Sequence, residues 1–216
     1  MKILAVNGSP RKKRNTATML EKAIEGAVAQ GAETDLIHLY DLDFKGCISC
    51  FACKKRDGKS YGKCAVKDDL TPVYAAIKRA DAIILGSPIY FGNTTGQFRS
   101  FMERLLFPYY VYTTPRQTLY PRKISTGLIY TMNVSEEEAQ ILGYDRLFGT
   151  IEDYMRLIFG HAVSIMSYDT YQFKDYSKVV SDGFNVAHKK KRRQEVFPKD
   201  CQKAYDIGVL FAKKPV

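Results

Sequence analysis

Four of the five cysteines crowd into one segment, where Cys47, Cys50, Cys53 and Cys64 form the pattern C-x2-C-x2-C-x10-C. Thiolates at two-residue intervals can wrap a 4Fe–4S cluster, with a more distant fourth completing the ligand set. A C-x2-C pair is also a zinc half-site, and a cysteine-bearing loop without metal is the third reading. The odd total and the clustering fit metal or redox chemistry better than a disulfide framework. Cys50 to Arg56 also matches the C-x5-R of a cysteine phosphatase loop, but Asp57 stands where such a loop usually carries Ser or Thr. A carboxylate beside a phosphate is unfavourable, and that reading is set aside. Cys201 stands alone as a packing residue, and His38, His161 and His188 read as structural.

A second group of residues suits an anion. Residues 7–16, Asn-Gly-Ser-Pro-Arg-Lys-Lys-Arg-Asn-Thr, run from an apolar strand into a helix. A helix N-terminus offers unpaired N–H groups and the positive end of a dipole, which suit a phosphate. Ser9 and Thr16 add hydroxyls, Asn15 an amide or an N-cap, and Arg11 a charge. Lys12, Lys13 and Arg14 face solvent or steer anionic ligands. The pattern is neither a Walker loop nor G-x-G-x-x-G, so nucleoside triphosphates and classical dinucleotides are disfavoured. Residues 87–97, Ser-Pro-Ile-Tyr-Phe-Gly-Asn-Thr-Thr-Gly-Gln, follow the most apolar strand. There Tyr90 and Phe91 can pack on a flat ring, Gly92 lets the backbone come close, and Asn93 can bond polar ring atoms or cap the next helix. Thr131, Met132 and Asn133 form a third loop beside them.

The elements that must position these loops read as strand 2–7, helix 16–30 stopped by Gly31, and strand 33–40, a βαβ unit that predicts a parallel sheet. The cysteine segment 46–64 interrupts as a loop. A helix follows to Ala80, then strand 82–86, then a helix to about Leu106. Residues 107–123 form a Tyr/Pro-rich insertion, in which 109–120 is a candidate lid or partner contact. Strand 123–131, a helical stretch 136–159 breakable at Gly143 and Gly149, strand 161–167 and a closing helix 198–212 complete the chain. Five strands alternate with helices. In such sheets ligands bind beyond the carboxyl ends of the strands, where strand order reverses.

The 216 residues suit one domain, 1–216. Thirty-three Lys and Arg against 23 Asp and Glu give a net charge of +10, which favours anionic partners. The run 189–193, Lys-Lys-Lys-Arg-Arg, reads as a solvated face, with a nucleic-acid-binding module as a distant alternative. No apolar run approaches the roughly 18 residues of a membrane helix, and the expected location is the cytoplasm.

Together, the 7–16 loop, the 87–97 loop and the cysteine cluster between them resemble the NADPH-dependent FMN reductases and related iron–sulfur flavoproteins, over roughly residues 1–168. That resemblance implies a flavodoxin-like three-layer α/β sandwich, with a five-stranded parallel sheet in the order 2-1-3-4-5 and helices on both faces. It implies FMN, with Ser9, Arg11, Asn15 and Thr16 at the phosphate. Pro88, Ile89, Tyr90, Phe91, Gly92 and Asn93 would line the ring, with Thr131 to Asn133 closing its other edge. It further implies NAD(P)H as donor, a flavin, quinone or other small acceptor, and homodimers or homotetramers. The alternative is an electron carrier holding FMN plus a 4Fe–4S cluster, without reductase activity of its own. Iron–sulfur flavoproteins use a shorter last cysteine gap than this chain.

Overall fold

A computed structural model describes residues 1–213; the last three residues of the expected 1–216 domain lie outside the described residues. The chain runs β1 (Lys2–Asn7), α1 (Asn15–Val28), β2 (Glu33–His38), α2 (Leu70–Arg79), β3 (Ala82–Tyr90), β4 (Asn93–Thr94) and α3 (Gly96–Leu106). It continues through β5 (Ile124–Thr131), α4 (Glu136–Ile141), α5 (Tyr144–Phe159), β6 (Gly160–Ser167), α6 (Val186–Glu195) and α7 (Phe197–Lys213). The long strands form one parallel sheet ordered β2-β1-β3-β5-β6, and the two-residue β4 pairs antiparallel with the end of β3. Leaving β4 aside, this is the expected order 2-1-3-4-5, the flavodoxin-like arrangement.

Strand side chains alternate between the two faces. Leu4, Val6, Ile83, Leu85 and Leu128 pack with residues of α2, α3 and α5. Ile3, Ala5, Ile84 and Ile129 pack with residues of α1 and α7. Because both faces are covered, the strands read as near-continuous apolar runs. Register is set by the same burial: Val6 lies opposite Leu85, and Leu85 opposite Leu128.

Several boundaries move. β2 stops at His38, where residues Leu39–Asp41 turn into a 3-10 helix. β3 runs on to Tyr90, carrying Ser87 and Pro88 within the strand. The stretch 136–159 splits at Gly143, which takes φ +71°, while Gly149 sits inside α5. The cysteine loop holds one 3-10 turn, Ala52–Lys54. The basic run lies on a helix of its own, α6, capped by Asn185, whose side chain accepts from the His188 amide.

Candidate functional site

The chain leaves β1 toward α1 on one face and leaves β3 toward α3 on the other. Their carboxyl ends are neighbours, with Asn7 opposite Gly86, so the strand order reverses there and opens a crevice. The 7–16 loop is folded by its own polar groups. Fully buried Asn7 accepts from the Ser9 amide at 2.9 Å, and its Nδ2 lies 3.0 Å from His38 Nδ1. Ser9 Oγ accepts from the Arg11 amide at 3.1 Å. The Gly8 amide donates to the Gly86 carbonyl at 2.7 Å. A Cβ on Gly8 would stand 2.5 Å from the Phe98 ring, so only glycine fits.

Helix α1 begins at Asn15, not after it. Arg14 holds the N-cap position without a side-chain cap, and the Thr18 amide donates to the Arg14 carbonyl. The amides of Asn15, Thr16 and Ala17 precede any carbonyl the helix can offer them and point a partial positive charge into the crevice. Asn15 is therefore not the cap. Its Nδ2 donates to the Tyr171 carbonyl at 3.1 Å, and its Oδ1 accepts from Arg193 at 3.0 Å. Arg11 is exposed and donates to the Gln172 carbonyl at 2.5 Å. Thr16 Oγ1 lies 2.7 Å from Thr131 Oγ1 in a buried pair that joins the first loop to the third.

The second loop is held by Thr95, a residue the sequence reading passed over in favour of Asn93. Thr95 Oγ1 accepts from the Phe98 amide as the cap of α3 and donates to the Gly8 carbonyl at 2.7 Å. Its own amide donates to Ser87 Oγ at 3.1 Å. The signal was present, since Thr followed by Gly-Gln opens an amphipathic stretch. Thr95→Ala should lower stability by about 1–2 kcal/mol, read from the urea midpoint, because the cap and the tie to Gly8 go together. An unchanged midpoint would show that neither bond matters.

Pro88 and Ile89 are half-buried, while Tyr90 and Asn93 are exposed. Burial raises the Tyr90 phenol above its ordinary value, with Tyr40 adding and the Arg11 charge opposing. Phe91 is fully exposed at φ +50°, followed by Gly92 at φ +78°. A left-handed, solvent-facing phenylalanine is a strained arrangement of the kind that clusters at binding sites. In the third loop Met132 turns into the core, and its peptide groups bond Ser167 and Thr170. Asn133 differs: its Oδ1 is buried with no partner among the described residues.

The four clustered cysteines line one small apolar cavity, together with Phe107 and Arg104. The long last gap does not carry Cys64 away. The Gly62 amide donates to the Cys53 carbonyl at 3.1 Å, and successive turns take up residues 55–63. Arg104 Nε donates to Cys64 Sγ at 3.4 Å. Burial raises the Cys53 thiol, with the Lys54 charge opposing. Among the described residues no three His, Cys, Asp or Glu side chains form a single-ion site.

A cavity of about 590 Å³ lies between α3 and α5 beside this segment, reaching Asn93 at one end. Tyr110 and Tyr112 line it. Tyr109 and Tyr120, by contrast, are core residues packed on Phe159, with Tyr109 pushed up to about 12 by burial. Only part of the Tyr/Pro segment could therefore act as a lid. The basic run is less solvated than its composition suggests. Lys189 is buried in a pair with Asp169 and Arg192 is half-buried in a pair with Asp200, while Lys190 and Lys191 stay exposed.

Fold and crevice together define a flavodoxin-like α/β protein with an open helix N-terminus at its switch point. The model of the NADPH-dependent FMN reductase family matches residues 1–123, and the chain belongs to that family. An iron–sulfur flavoprotein of Methanocaldococcus jannaschii is 38% identical over 104 residues, 48% of this chain and 51% of that protein. One from Archaeoglobus fulgidus is 44% identical over 104 residues, 48% of each. The chain thus spans about half the length of the curated relatives it matches. The fold is shared with an NAD(P)H:quinone oxidoreductase from Methanothermobacter marburgensis, at TM-score 0.70 and 15% identity over 97% of this chain and 98% of that one. It is also shared with an azoreductase from Bacillus anthracis, at TM-score 0.68 and 11% identity over 98% and 100%. No helix among the described residues is long and apolar enough to cross a membrane.

Proposed function

We propose that this chain is an FMN-dependent oxidoreductase that takes reducing equivalents from NAD(P)H and passes them to a small acceptor such as a flavin or quinone. The observation that carries this reading is the open first turn of α1 at the β1/β3 reversal, joined by the Thr16–Thr131 pair to the third loop, where Asn133 Oδ1 is buried with no partner among the described residues. One end suits a phosphate and the other a donor on a ring edge, so the residues present fit FMN. Ser9, Arg11, Asn15 and Thr16 hold the phosphate; the backbone amides of Asn15 and Thr16 do most of this, since the Ser9 and Arg11 amides and Thr16 Oγ1 are already paired. Pro88 to Asn93 line the ring and Asn133 takes its far edge, with Thr131 and Met132 fixing that strand end. Bound FMN supplies the hydride and electron chemistry. The chain's own residues orient it and need supply no acid or base. The aromatic cavity reaching Asn93 suits a planar acceptor.

Family membership supports this reading, as does the basic balance. We read 1–216 as one flavin-binding domain. Exposed Phe91, Tyr112, Ile141 and Leu142 offer apolar surface for a homodimer or homotetramer. Five unpaired thiols suit the reducing cytoplasm.

A second feature favours an added cluster. Four thiols around one cavity, without a compact single-ion site among the described residues, fit a 4Fe–4S group better than zinc. Cys47, Cys50, Cys53 and Cys64 would hold it. It would supply one-electron transfer, as in the carrier alternative.

Anaerobically purified protein should show flavin absorption, release FMN on denaturation and lose its flavin bands on addition of NAD(P)H. A colourless protein that takes up no FMN would refute the reading. Iron and acid-labile sulfide in equal amounts would add the cluster, and a flavin that NAD(P)H leaves oxidised would favour the carrier.

A further inference from the structure

The run Lys189–Arg193 is the one conspicuous motif that this function leaves unused. Burying a charge is unfavourable unless it is paired, so such a run normally lies in solvent. On α6, positions 189, 192 and 193 share one face at i, i+3 and i+4 spacing, and that face is turned inward. Lys189 and Arg192 each have a carboxylate, on Asp169 and Asp200. Arg193 forms no ion pair among the described residues. It is half-buried, donates to Asn15 Oδ1 at 3.0 Å and lies over the Phe197 ring at 4.1 Å. An arginine held against an amide and an aromatic face keeps its charge uncompensated, directly behind the first turn of α1.

We propose that Arg193 and Lys189 are positioning residues for the flavin, a role that rests on the functional reading above. Arg193 acts at the phosphate end. By donating to Oδ1 it fixes which way the Asn15 amide faces, with Nδ2 on the Tyr171 carbonyl and a second N–H left to offer a ligand. Lys189 acts at the ring end. Its Nζ donates to the Asn133 carbonyl at 3.1 Å and to Asp169, which takes φ +45° and whose amide donates to Val134 O at 2.7 Å. That pins the main chain that carries Asn133 Oδ1. A single helix, remote in sequence, thus braces both ends of the crevice from behind.

FMN and riboflavin, which differ by the phosphate, separate this role from general support. Each is titrated into the full chain freed of flavin, with dissociation constants read from fluorescence quenching. Arg193→Ala should weaken FMN roughly tenfold, the loss of one charge-assisted hydrogen bond, and leave riboflavin unchanged. Asn15→Ala should do the same, and the double variant should be no worse than the weaker single, because both remove one interaction. Lys189→Met should weaken both flavins by the same factor. If Arg193→Ala fails to fold, Arg193→Lys keeps the charge without the planar fork, and its FMN-to-riboflavin ratio decides in its place. Equal weakening of both flavins by the Arg193 variant, or additive losses in the double variant, would overturn the positioning role alone. Wild-type protein that binds neither flavin would overturn the functional reading and this role with it.

Discussion

Arg104→Met should lower the unfolding free energy by about 3–5 kcal/mol, read as a fall in urea midpoint at constant slope. The Arg104 side chain is 1% exposed in the last turn of α3. Its guanidinium donates to both carboxylate oxygens of Asp68, at 2.5 and 2.9 Å, to the carbonyls of Lys45 and Val66, and to Cys64 Sγ. Truncation would leave all these acceptors short of a donor, and breaking one side of a buried pair is far worse than never having made it. Arg104→Met combined with Asp68→Asn should therefore recover part of the loss. The same bonds clamp both ends of the cysteine segment onto α3, so Cys47 and Cys64 should also react faster with a thiol reagent in Arg104→Met.

The pair carries a pH signature. Burial by itself would raise the Asp68 carboxyl, but the Arg104 guanidinium outweighs it and holds the group below the usual carboxylate range. A lowered folded value means the contribution is complete above the unfolded value of about 4 and is lost as pH falls through the folded value. The stability gap between wild type and Asp68→Asn should be constant near neutrality and close below about pH 4. A gap that persisted in acid would show that packing, not charge, makes the difference.

What sequence could reveal follows from where the partners lie. The strands were legible because burial on both faces writes itself as apolar runs between turn residues, and their order came only with the family resemblance. The 7–16 loop was legible because helix-end chemistry is local. Thr95 was missed because Asn93, two residues earlier, offers the same capping group, and only the Gly8 carbonyl opposite decides between them. The return of Cys64 depends on turns whose closing bond, Gly62 to Cys53, has no signature in the spacing. Helix α6 was illegible for a stronger reason. Its burial depends on Asp169, Asp200 and Asn15, the last of them 178 positions from Arg193. A run of five cations cannot announce which of them find a partner once the sheet has formed.

Gly208→Ala should be among the most damaging single methyls in the described chain. Helices α1 and α7 cross through two glycines. A Cβ on Gly208 would stand 1.9 Å from the Ala23 carbonyl oxygen and 2.9 Å from the Ala27 nitrogen, and one on Gly26 would stand 2.1 Å from the Tyr205 carbonyl oxygen. These neighbours are backbone, so no rotamer change relieves them and the helices must part. The expected loss is about 3 kcal/mol, at the upper end for overpacking, and Gly26→Ala should match it. Gly149→Ala supplies the contrast. That glycine lies within α5, and a Cβ there meets nothing within 4 Å. Helix propensity alone should make that variant more stable by up to about 1 kcal/mol. Two Gly→Ala changes inside helices should thus move the urea midpoint in opposite directions. Because α1 carries the amides proposed for the phosphate at its other end, Gly208→Ala should also weaken FMN binding, while Gly149→Ala leaves it alone. Stabilisation by both would mean that α1 and α7 do not approach backbone to backbone, and the brace behind the crevice would have to be drawn differently.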